Sequence, residues 1–469
     1  MNAKNPRQIA LSVLQSRRQN GEFTEILLDR ALAGGPSPAP GPAQGRAISP
    51  ADRALCQELV YGVVRAQSAL DWLIARKTGG RQQNAAIQNV LRLGLYQVFW
   101  LDRIPSHAAV HETVELAKRE GFGPKAGFVN AVLRGFLREF DATKTLLGEL
   151  RASNPAVAFS HPQWLVEKWE KCFGPERMRQ LLEWNNTPPK NFARVNTIKT
   201  DAGKLLERWR NENVEYDFVR REFLNGPDLE AIIFELKSHP PLASLESFRE
   251  GWFYVQDPST LLASLELAPN AGETILDLCA APGGKTTFIA QLMGNTGKIV
   301  ASDVSKERLK LIEENCLRLG VTSVHLANNQ LEHADTGANR FNALSQVALP
   351  PLQRFNVSDH EQFDRILIDA PCSNTGVMRR RVDLRWRISF DELARLHQAQ
   401  LDLLKLAAPK VRPGGVLVYS TCSLEPEENS FVIQEFLKEH NQFSLEHERD
   451  LFPFQDNIDG AYVARLLKR

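Results

Sequence analysis

The sequence predicts a multidomain protein in which an all-α region is followed by an α/β region with a doubly wound, mainly parallel sheet. Residues 1–145 carry apolar side chains at helical spacing, and Ser49-Pro50 is a typical helix start. From about residue 270, short apolar strands alternate with helices, which is typical of a parallel sheet covered by helices. Residues 155–265, between these regions, mix short helices and strands.

The composition is that of an ordinary globular protein and excludes few functions. The chain has 469 residues, of which 43% are hydrophobic and 24% are charged, with a formal net charge of +1. Residues 1–145 contain 19 Lys and Arg against 12 Asp and Glu, so this region alone has a net charge of +7. Such a region is suited to nucleic-acid contact, although solvated helix surfaces explain the charge equally well.

The six cysteines predict neither a metal site nor disulfides. None belongs to a C-x-x-C pair, and no His cluster accompanies them. The sequence shows no signal peptide and no apolar run of membrane-spanning length, so we expect a cytoplasmic protein. Cys56, Cys172 and Cys316 lie in apolar helical stripes, and we expect all three to be buried.

The α/β region contains four recognisable strands, at 274–278, 298–303, 365–369 and 416–419. Two segments do not fit the pattern. Residues 330–362 interrupt the alternation and are predicted to be an inserted loop. Residues 34–45 include four prolines and are predicted to be a disordered loop.

Two thiols follow predicted strands. Cys372 comes after the strand that ends near Asp369, and Cys422 comes after the strand at 416–419. Ligands bind at the carboxyl ends of parallel strands, so we expect both thiols at one edge of the sheet. A lone Cys after a strand is more often a small buried hydrophobe. The pattern therefore locates the pair without assigning a role to either.

The loop at 279–285 joins a strand to a helix and raises the question of a nucleotide ligand. A phosphate-binding P-loop needs Gly where Cys279 stands, and Pro282 lacks a backbone N–H. The G-x-G-x-x-G spacing is also absent. Asp303 follows the next strand, where an acid can bind ribose hydroxyls or simply favour the helix that Ser305 begins. A ribose without pyrophosphate is what S-adenosylmethionine presents.

These motifs resemble the Sun (Fmu) family of bacterial RNA 5-methylcytosine methyltransferases, which act on small-subunit ribosomal RNA, and the likeness runs nearly end to end. It is carried by 194–197, 256–257, 277–286, 369–373, 421–423 and 426–429. Residues 5–140 resemble the NusB-type helical RNA-binding domain, through 103–109 and 130–134. The resemblance implies a NusB-like domain at 1–145, a linker subdomain at 155–265 and a Rossmann-like class I methyltransferase domain at 266–469.

The resemblance also implies the ligands and the site. The cofactor would be S-adenosylmethionine, the substrate 16S rRNA and the protein a monomer. Cys422 would be the nucleophile, Cys372 would assist product release, Asp369 would lie beside cofactor and base, and Lys285 near the reacting centre. The expected cofactor contacts are Cys279, Ala280, Ala281, Pro282, Gly283, Gly284, Lys285, Asp303 and Asp369. The family's acid after the third strand is missing, and Asn329 is assigned to the adenine instead.

The proposed reaction requires these residue types independently. C5 of cytosine is a weak nucleophile, but a thiolate that adds to C6 makes C5 reactive, and a thiolate can also depart. An acid at the ring N3, for which Asp369 is the candidate, stabilises the adduct, and a second thiol can act as acid or base in release. Lys285 and the triplet 379–381 are candidate positive neighbours for the nucleophile.

Three alternatives stay open. The triplet 379–381 either contacts the RNA backbone, as we predict, or forms a solvated charged face, and Trp386 either stacks on a base or packs internally. The substrate could be another RNA, such as transfer RNA. The chain could also be an RNA-binding assembly factor with an inactive catalytic domain, although the presence of both thiol motifs argues against this.

Overall fold

The computed structural model describes residues 5–20, 22–33, 48–224, 229, 231–327 and 361–469. The predicted loop at 34–45, Asn329 and nearly all of the predicted insertion at 330–362 lie outside the described residues. The described chain falls into two compact units. One contains the residues up to Thr187 together with Met378–Arg387, and the other contains the rest from Pro188 onward.

The first unit is helical, as predicted. Its helices are α1 (Pro6–Asn20), α2 (Thr24–Leu32), α3 (Pro50–Arg65), α4 (Gln67–Thr78), α5 (Ala85–Trp100), α6 (Ser106–Ala117), α7 (Gly123–Arg138), α8 (Phe140–Ser153), α9 (Pro155–Ala158), α10 (Gln163–Phe173) and α11 (Pro175–Asn185). The Ser49 hydroxyl caps α3 by accepting a hydrogen bond from the Asp52 N–H at 3.1 Å. Leucine, valine and isoleucine side chains of α1 to α7 form one buried core.

The segment Met378–Arg387 belongs to this helical unit, although it lies far along the sequence. Arg385 is fully buried and donates hydrogen bonds to the Asn185 carbonyl at 2.9 Å and the Asn186 side-chain oxygen at 2.7 Å. Asp383 is also buried and accepts from Arg17 Nε at 2.6 Å. Trp386 packs against the helical core, so of its two predicted roles the structure favours packing.

The predicted RNA contact is wrong for Arg379. This side chain is 1% exposed, and its guanidinium carbon lies 4.2 Å from the centre of the Trp184 ring. An arginine that stacks inside a core has no surface left for a phosphate. Arg381 is exposed, and its contact with RNA stays a prediction.

The second unit begins with a small antiparallel sheet in the order β2-β3-β1-β4. Its elements are β1 (Asn191–Val195), α12 (Ala202–Asn211), β2 (Glu215–Phe218), β3 (Ile233–Ser238), α13 (Glu246–Arg249) and β4 (Phe253–Val255). Trp209 of α12 is fully buried and packs edge-on against Phe253, with ring centres 5.2 Å apart. This contact attaches the helix to one face of the sheet.

A second, larger sheet follows. The elements around it are, in chain order, α14 (Ser259–Leu267), β5 (Thr274–Asp277), α15 (Gly284–Leu292), β6 (Lys298–Ala301), α16 (Lys306–Leu319), β7 (Val324–Leu326), β8 (Phe363–Asp369), α17 (Phe390–Ala407), β9 (Val411–Thr421), α18 (Ser430–Glu439), β10 (Phe443–Leu451), α19 (Pro453–Asp456) and β11 (Ala461–Lys468). In the described residues this sheet has seven strands, in the order β10-β11-β9-β8-β5-β6-β7. Strands β5 to β9 pair in parallel, whereas β11 pairs antiparallel with β9 and β10. The predicted doubly wound, mainly parallel sheet is therefore confirmed.

This topology carries the two thiols to neighbouring positions. Strands β8 and β9 are adjacent and parallel, with Asp369 opposite Ser420. Cys372 follows the end of β8, and Cys422 follows the end of β9 directly. The divisions at 1–145, 155–265 and 266–469 stay a prediction.

The expectation for the other cysteines is correct for Cys56, which is fully buried, and Cys316 is half-buried. It is wrong for Cys172, which is exposed. Its spacing from Leu165 and Trp169 puts it on the apolar face of α10, but it lies in the last turn, where other chain segments no longer cover that face.

Candidate active site

The two thiols meet at the carboxyl edge of the large sheet. Cys372 Sγ lies 3.4 Å from Cys422 Sγ, within hydrogen-bond distance for sulfur. Cys372 is buried, whereas Cys422 is half-buried. The hydrogen bond to Cys422, burial and the nearby charges raise the pKa of Cys372 well above its usual range. Cys372 is therefore a protonated thiol, able to donate a hydrogen bond to its neighbour.

Asn374 contacts the half-buried sulfur directly. Its Oδ1 accepts a hydrogen bond from the Cys422 thiol at 3.0 Å, and its Nδ2 donates to the Cys372 carbonyl at 2.5 Å. The backbone of Asn374 is left-handed, with φ of 60°, a conformation that asparagine tolerates better than most residues. One amide thus links the loop of the first thiol to the sulfur of the second.

Lys285 and Asp369 form an ion pair at the same edge. Lys285 Nζ lies 2.7 Å from Asp369 Oδ2, and Ser420 Oγ donates to Asp369 Oδ1 at 2.9 Å. Burial is the largest single effect and lowers the pKa of Lys285, but the charge and the hydrogen bond of Asp369, together with other nearby negative groups, outweigh it and the net shift is upward. The negative form of Cys422 also raises this pKa, so Lys285 is an electrostatic neighbour of that sulfur. The Asp369 side chain remains 35% exposed.

The loop at 279–285 is shaped by backbone contacts that leave little for a phosphate. Its Ala280 N–H donates to the Ser302 carbonyl at 2.9 Å, and its Ala281 N–H donates to Asp303 Oδ2 at 3.2 Å. Gly283 has φ of 99°, and a Cβ there would lie 3.4 Å from the backbone of Ile312. Two N–H groups of this loop, those of Ala280 and Ala281, are therefore occupied by oxygens of the protein itself.

Carboxylates dominate the charge around this loop. Burial is the largest cause of the raised pKa of the Cys279 thiol. The charges of three carboxylates raise it further, those of Asp303, Asp369 and Asp277. Burial also raises the pKa of Asp277 to about 7, and the Thr286 hydroxyl donates to this carboxyl at 2.7 Å. A cluster of acids disfavours a polyphosphate and favours a ligand that carries positive charge and hydroxyl groups. S-adenosylmethionine, with its sulfonium, amino and ribose groups, fits this set of side chains.

Sequence comparison assigns the family. A relative in Bacillus subtilis (strain 168), named "Probable ribosomal RNA small subunit methyltransferase B", is 36% identical over 485 residues, which cover 99% of this chain and 98% of the relative. The ribosomal RNA small subunit methyltransferase B of Escherichia coli O7:K1 is 36% identical over 433 residues, which cover 90% and 92%. This chain belongs to the ribosomal RNA small subunit methyltransferase B family.

Three family models match successive parts of this methyltransferase. They are described as the NusB family at residues 4–138, the Methyltr_RsmF/B-like ferredoxin-like domain at 161–221, and 16S rRNA methyltransferase RsmB/F at 264–467. The crystal structure of PH0851 has the same fold, with a TM-score of 0.72, 24% identity and full coverage of both chains. A methyltransferase homolog from Pyrococcus horikoshii has a TM-score of 0.53 and is 27% identical, covering 69% of this chain and 99% of its own.

The residues assigned by resemblance lie along one edge of this methyltransferase. Cys372 contacts Cys422, Lys285 contacts Asp369, and 279–285 forms the adjoining loop. Asp303 is 2% exposed and accepts from the Ala281 and Ser305 N–H groups, so it serves the loop and the start of α16 at once. Whether it also holds a ribose stays a prediction, and Asn329 lies outside the described residues.

Two further residues of this site were not assigned a role from the sequence. Asn374 is one, and the left-handed tendency of asparagine, which the sequence analysis did not use, is a signal that could have pointed to its loop. Arg194 is the other: fully buried, it donates to the Gly284 carbonyl at 2.9 Å and to Gln256 Oε1 at 2.8 Å. Arg194 comes from β1 of the small sheet, so this sheet supports the first turn of α15 and with it the loop.

The described residues contain neither a candidate metal cluster nor a candidate membrane span. No group of three or more His, Cys, Asp and Glu side chains in this part of the chain could hold a metal ion. Within the same residues, no helix is long and apolar enough to cross a membrane.

Proposed function

We propose that this methyltransferase transfers a methyl group from S-adenosylmethionine to C5 of a cytosine in 16S rRNA, through a covalent bond between Cys422 and C6 of the base. The observation that carries the proposal is the pair of thiols 3.4 Å apart beside the Lys285–Asp369 ion pair. The substrate is inferred from the names of the relatives. A 16S rRNA substrate implies the cytoplasm as the compartment.

Cys422 is the proposed nucleophile. It is the more exposed of the two thiols, and it interacts electrostatically with Lys285. The thiolate forms a bond to C6, and the electron pair of the C5–C6 double bond moves toward N3 and makes C5 nucleophilic. The donor, when bound, supplies an electrophilic methyl group that the activated C5 accepts.

Asp369 is the proposed partner of the base. Its carboxylate is accessible and is held by Lys285 and Ser420, so its orientation is fixed before a base arrives. In its protonated form, this carboxyl group would donate a hydrogen bond to N3 and stabilise the negative charge that develops there when C6 is attacked. This role requires a carboxyl group that the base can reach.

Cys372 is the proposed group for release. The C5 proton leaves to a base, its bonding electrons re-form the C5–C6 double bond, and the bond from C6 to sulfur breaks. The departing sulfur becomes a thiolate, and the protonated Cys372 lies 3.4 Å from it as a hydrogen-bond donor. Without that donor, departure is slower than attack, and the adduct accumulates.

The test is methyl transfer from radiolabelled donor to unmodified 16S rRNA, with transfer RNA as a second substrate. We expect wild-type protein to label 16S rRNA, Cys422→Ala to label neither RNA, and Cys372→Ala to form a protein–RNA adduct that survives denaturant. Labelling of transfer RNA alone would contradict the substrate. Labelling by Cys422→Ala would contradict the nucleophile. Donor-independent RNA binding without any turnover would identify an assembly factor instead.

A further inference from the structure

A buried acid connects the two thiol-bearing loops. Glu428 is fully buried in the short turn Pro426–Glu428 that follows β9. It accepts hydrogen bonds from the Ser373 N–H at 2.8 Å, the Ser423 hydroxyl at 2.5 Å and Gln400 Nε2 at 3.1 Å, and it also accepts from the Ser373 hydroxyl. All of these partners are neutral.

The two serines are the residues that directly follow the thiols. Ser373 comes after Cys372, Ser423 comes after Cys422, and their hydroxyl oxygens lie 3.1 Å apart. Gln400, from α17, donates to Glu428 and also to the Pro371 carbonyl at 3.0 Å. A single carboxylate is therefore the common acceptor for groups on both sides of the sulfur–sulfur contact.

Joining two loops through a fully buried carboxylate with only neutral partners carries an unfavourable desolvation free energy. Its desolvation costs several kcal/mol unless hydrogen bonds to the charge compensate, and burial raises the pKa of Glu428 accordingly. Hydrogen bonds to a charged acceptor are shorter and stronger than neutral ones, so they hold geometry more tightly. The negative charge also contributes to the raised pKa of Cys372, after the hydrogen bond to Cys422 and burial.

We propose that Glu428 is a positioning residue that holds the Cys372 and Cys422 loops at one fixed separation through Ser373 and Ser423. The inference rests on the proposed function for the roles of the thiols. Glu428 does not touch the base or the donor in this scheme. It sets where Cys422 Sγ stands when it attacks C6, and it keeps Cys372 beside it as a protonated donor.

The first experiment separates positioning from binding. We call the hydrogen bonds from Ser373 and Ser423 to Glu428 the clamp. Loss of the clamp displaces the nucleophile, and a displacement of about 1 Å costs roughly 100-fold in rate. We expect Glu428→Ala to lower kcat by about that factor, with the KM for donor little changed. Glu428→Gln, which keeps the shape and one of the two acceptor oxygens, restores part of the rate. Glu435→Gln on the neighbouring α18, whose side chain is 50% exposed, is the matched control and retains wild-type kcat.

A second experiment reads the attack step alone. In Cys372→Ala protein, the rate of adduct formation on 16S rRNA reports the position of Cys422, and we expect Glu428→Ala to slow it by a similar factor. If Cys422→Ala remained active, the proposed function itself would fail. If Cys422→Ala were inactive while Glu428→Ala turned over and formed adduct at normal rates, the clamp alone would be wrong.

The serines keep the proposal falsifiable if Glu428→Ala does not fold. Ser373→Ala and Ser423→Ala each remove one side of the same clamp, so each lowers kcat and the double variant is little worse than either single one. Fully additive effects, or normal kcat in the double variant, would overturn the shared-clamp inference.

Discussion

Two ion pairs of nearly equal length serve the two units differently. In the helical unit, Arg17 Nε lies 2.6 Å from Asp383, and at the sheet edge Lys285 Nζ lies 2.7 Å from Asp369. The two cations are similarly covered, at 17% and 16% side-chain exposure. The acids differ, because Asp383 is 4% exposed and Asp369 is 35% exposed.

The difference lies in what each acid has left to offer. Asp383 also accepts from the backbone N–H of Thr24 at 2.5 Å and from its hydroxyl at 2.9 Å, so protein groups use both of its oxygens. Asp369 accepts from Lys285 and Ser420 and still has surface toward solvent. A saturated buried pair holds a fold together, whereas an oriented but open acid is suited to chemistry.

The largest expected effect is on activity, at the open pair. We expect Asp369→Asn to lower kcat about 100- to 10,000-fold. In the proposed mechanism, the neutral amide has no acidic proton to donate to N3 of the cytosine. Methyl transfer from labelled donor to 16S rRNA measures this. Asp364→Asn, at the opposite end of the same β8 strand, is the matched control and should turn over normally. Equal losses of kcat in Asp369→Asn and Asp364→Asn would contradict a specific role of Asp369 in the reaction.

The next effect is on stability, at the closed pair. Removal of one partner of a buried ion pair leaves a charge without compensation and costs about 3–5 kcal/mol. We therefore expect Asp383→Ala to lower the free energy of unfolding by that amount, measured by urea denaturation. The exposed Asp29→Ala in α2 should change it by only about 0.5 kcal/mol or less. A loss at Asp383 no larger than that at Asp29 would contradict the structural role.

The smallest effect concerns Asp277, a buried acid whose hydrogen bond comes from the Thr286 hydroxyl. Its pKa is about 7 in the folded protein, above the usual 3.8, so between these values only the folded state keeps the proton. Stability therefore falls as pH rises through this window, by up to about 1.4 kcal/mol per pH unit. Asp277→Asn lacks this loss, so its stability relative to wild type should increase from pH 5 to pH 7. A difference independent of pH would contradict the raised pKa.

The parallel sheet and the position of the two thiols at its edge could be predicted from the sequence, because both depend on local patterns. Apolar runs gave β5, β6, β8 and β9, and parallel pairing then brought Cys372 and Cys422 to one edge. The roles of Asp369 and Lys285 came from the family resemblance, since no spacing rule joins residues on β8 and α15. Their 2.7 Å contact exists only after the sheet is assembled.

The errors and omissions share one cause. Arg379 was expected to face RNA and Cys172 to be buried, but charge runs and helical stripes do not tell which segment later covers a side chain. Glu428 and Arg194 were quoted only as parts of motifs, because their partners lie on distant strands and loops. Burial of a charge is decided by tertiary contacts, and local sequence contains little record of them.

The membership of Met378–Arg387 in the helical unit affects how the gene encodes that unit. Among the described residues, the unit is assembled from two stretches, and the second begins shortly after Cys372, inside the gene segment that encodes the thiol loops. A cut after Thr187 would leave Arg17 and Thr24 without Asp383. The helical unit is therefore not encoded by one continuous stretch of the gene, and a fragment that ends at Thr187 lacks one partner of a buried ion pair.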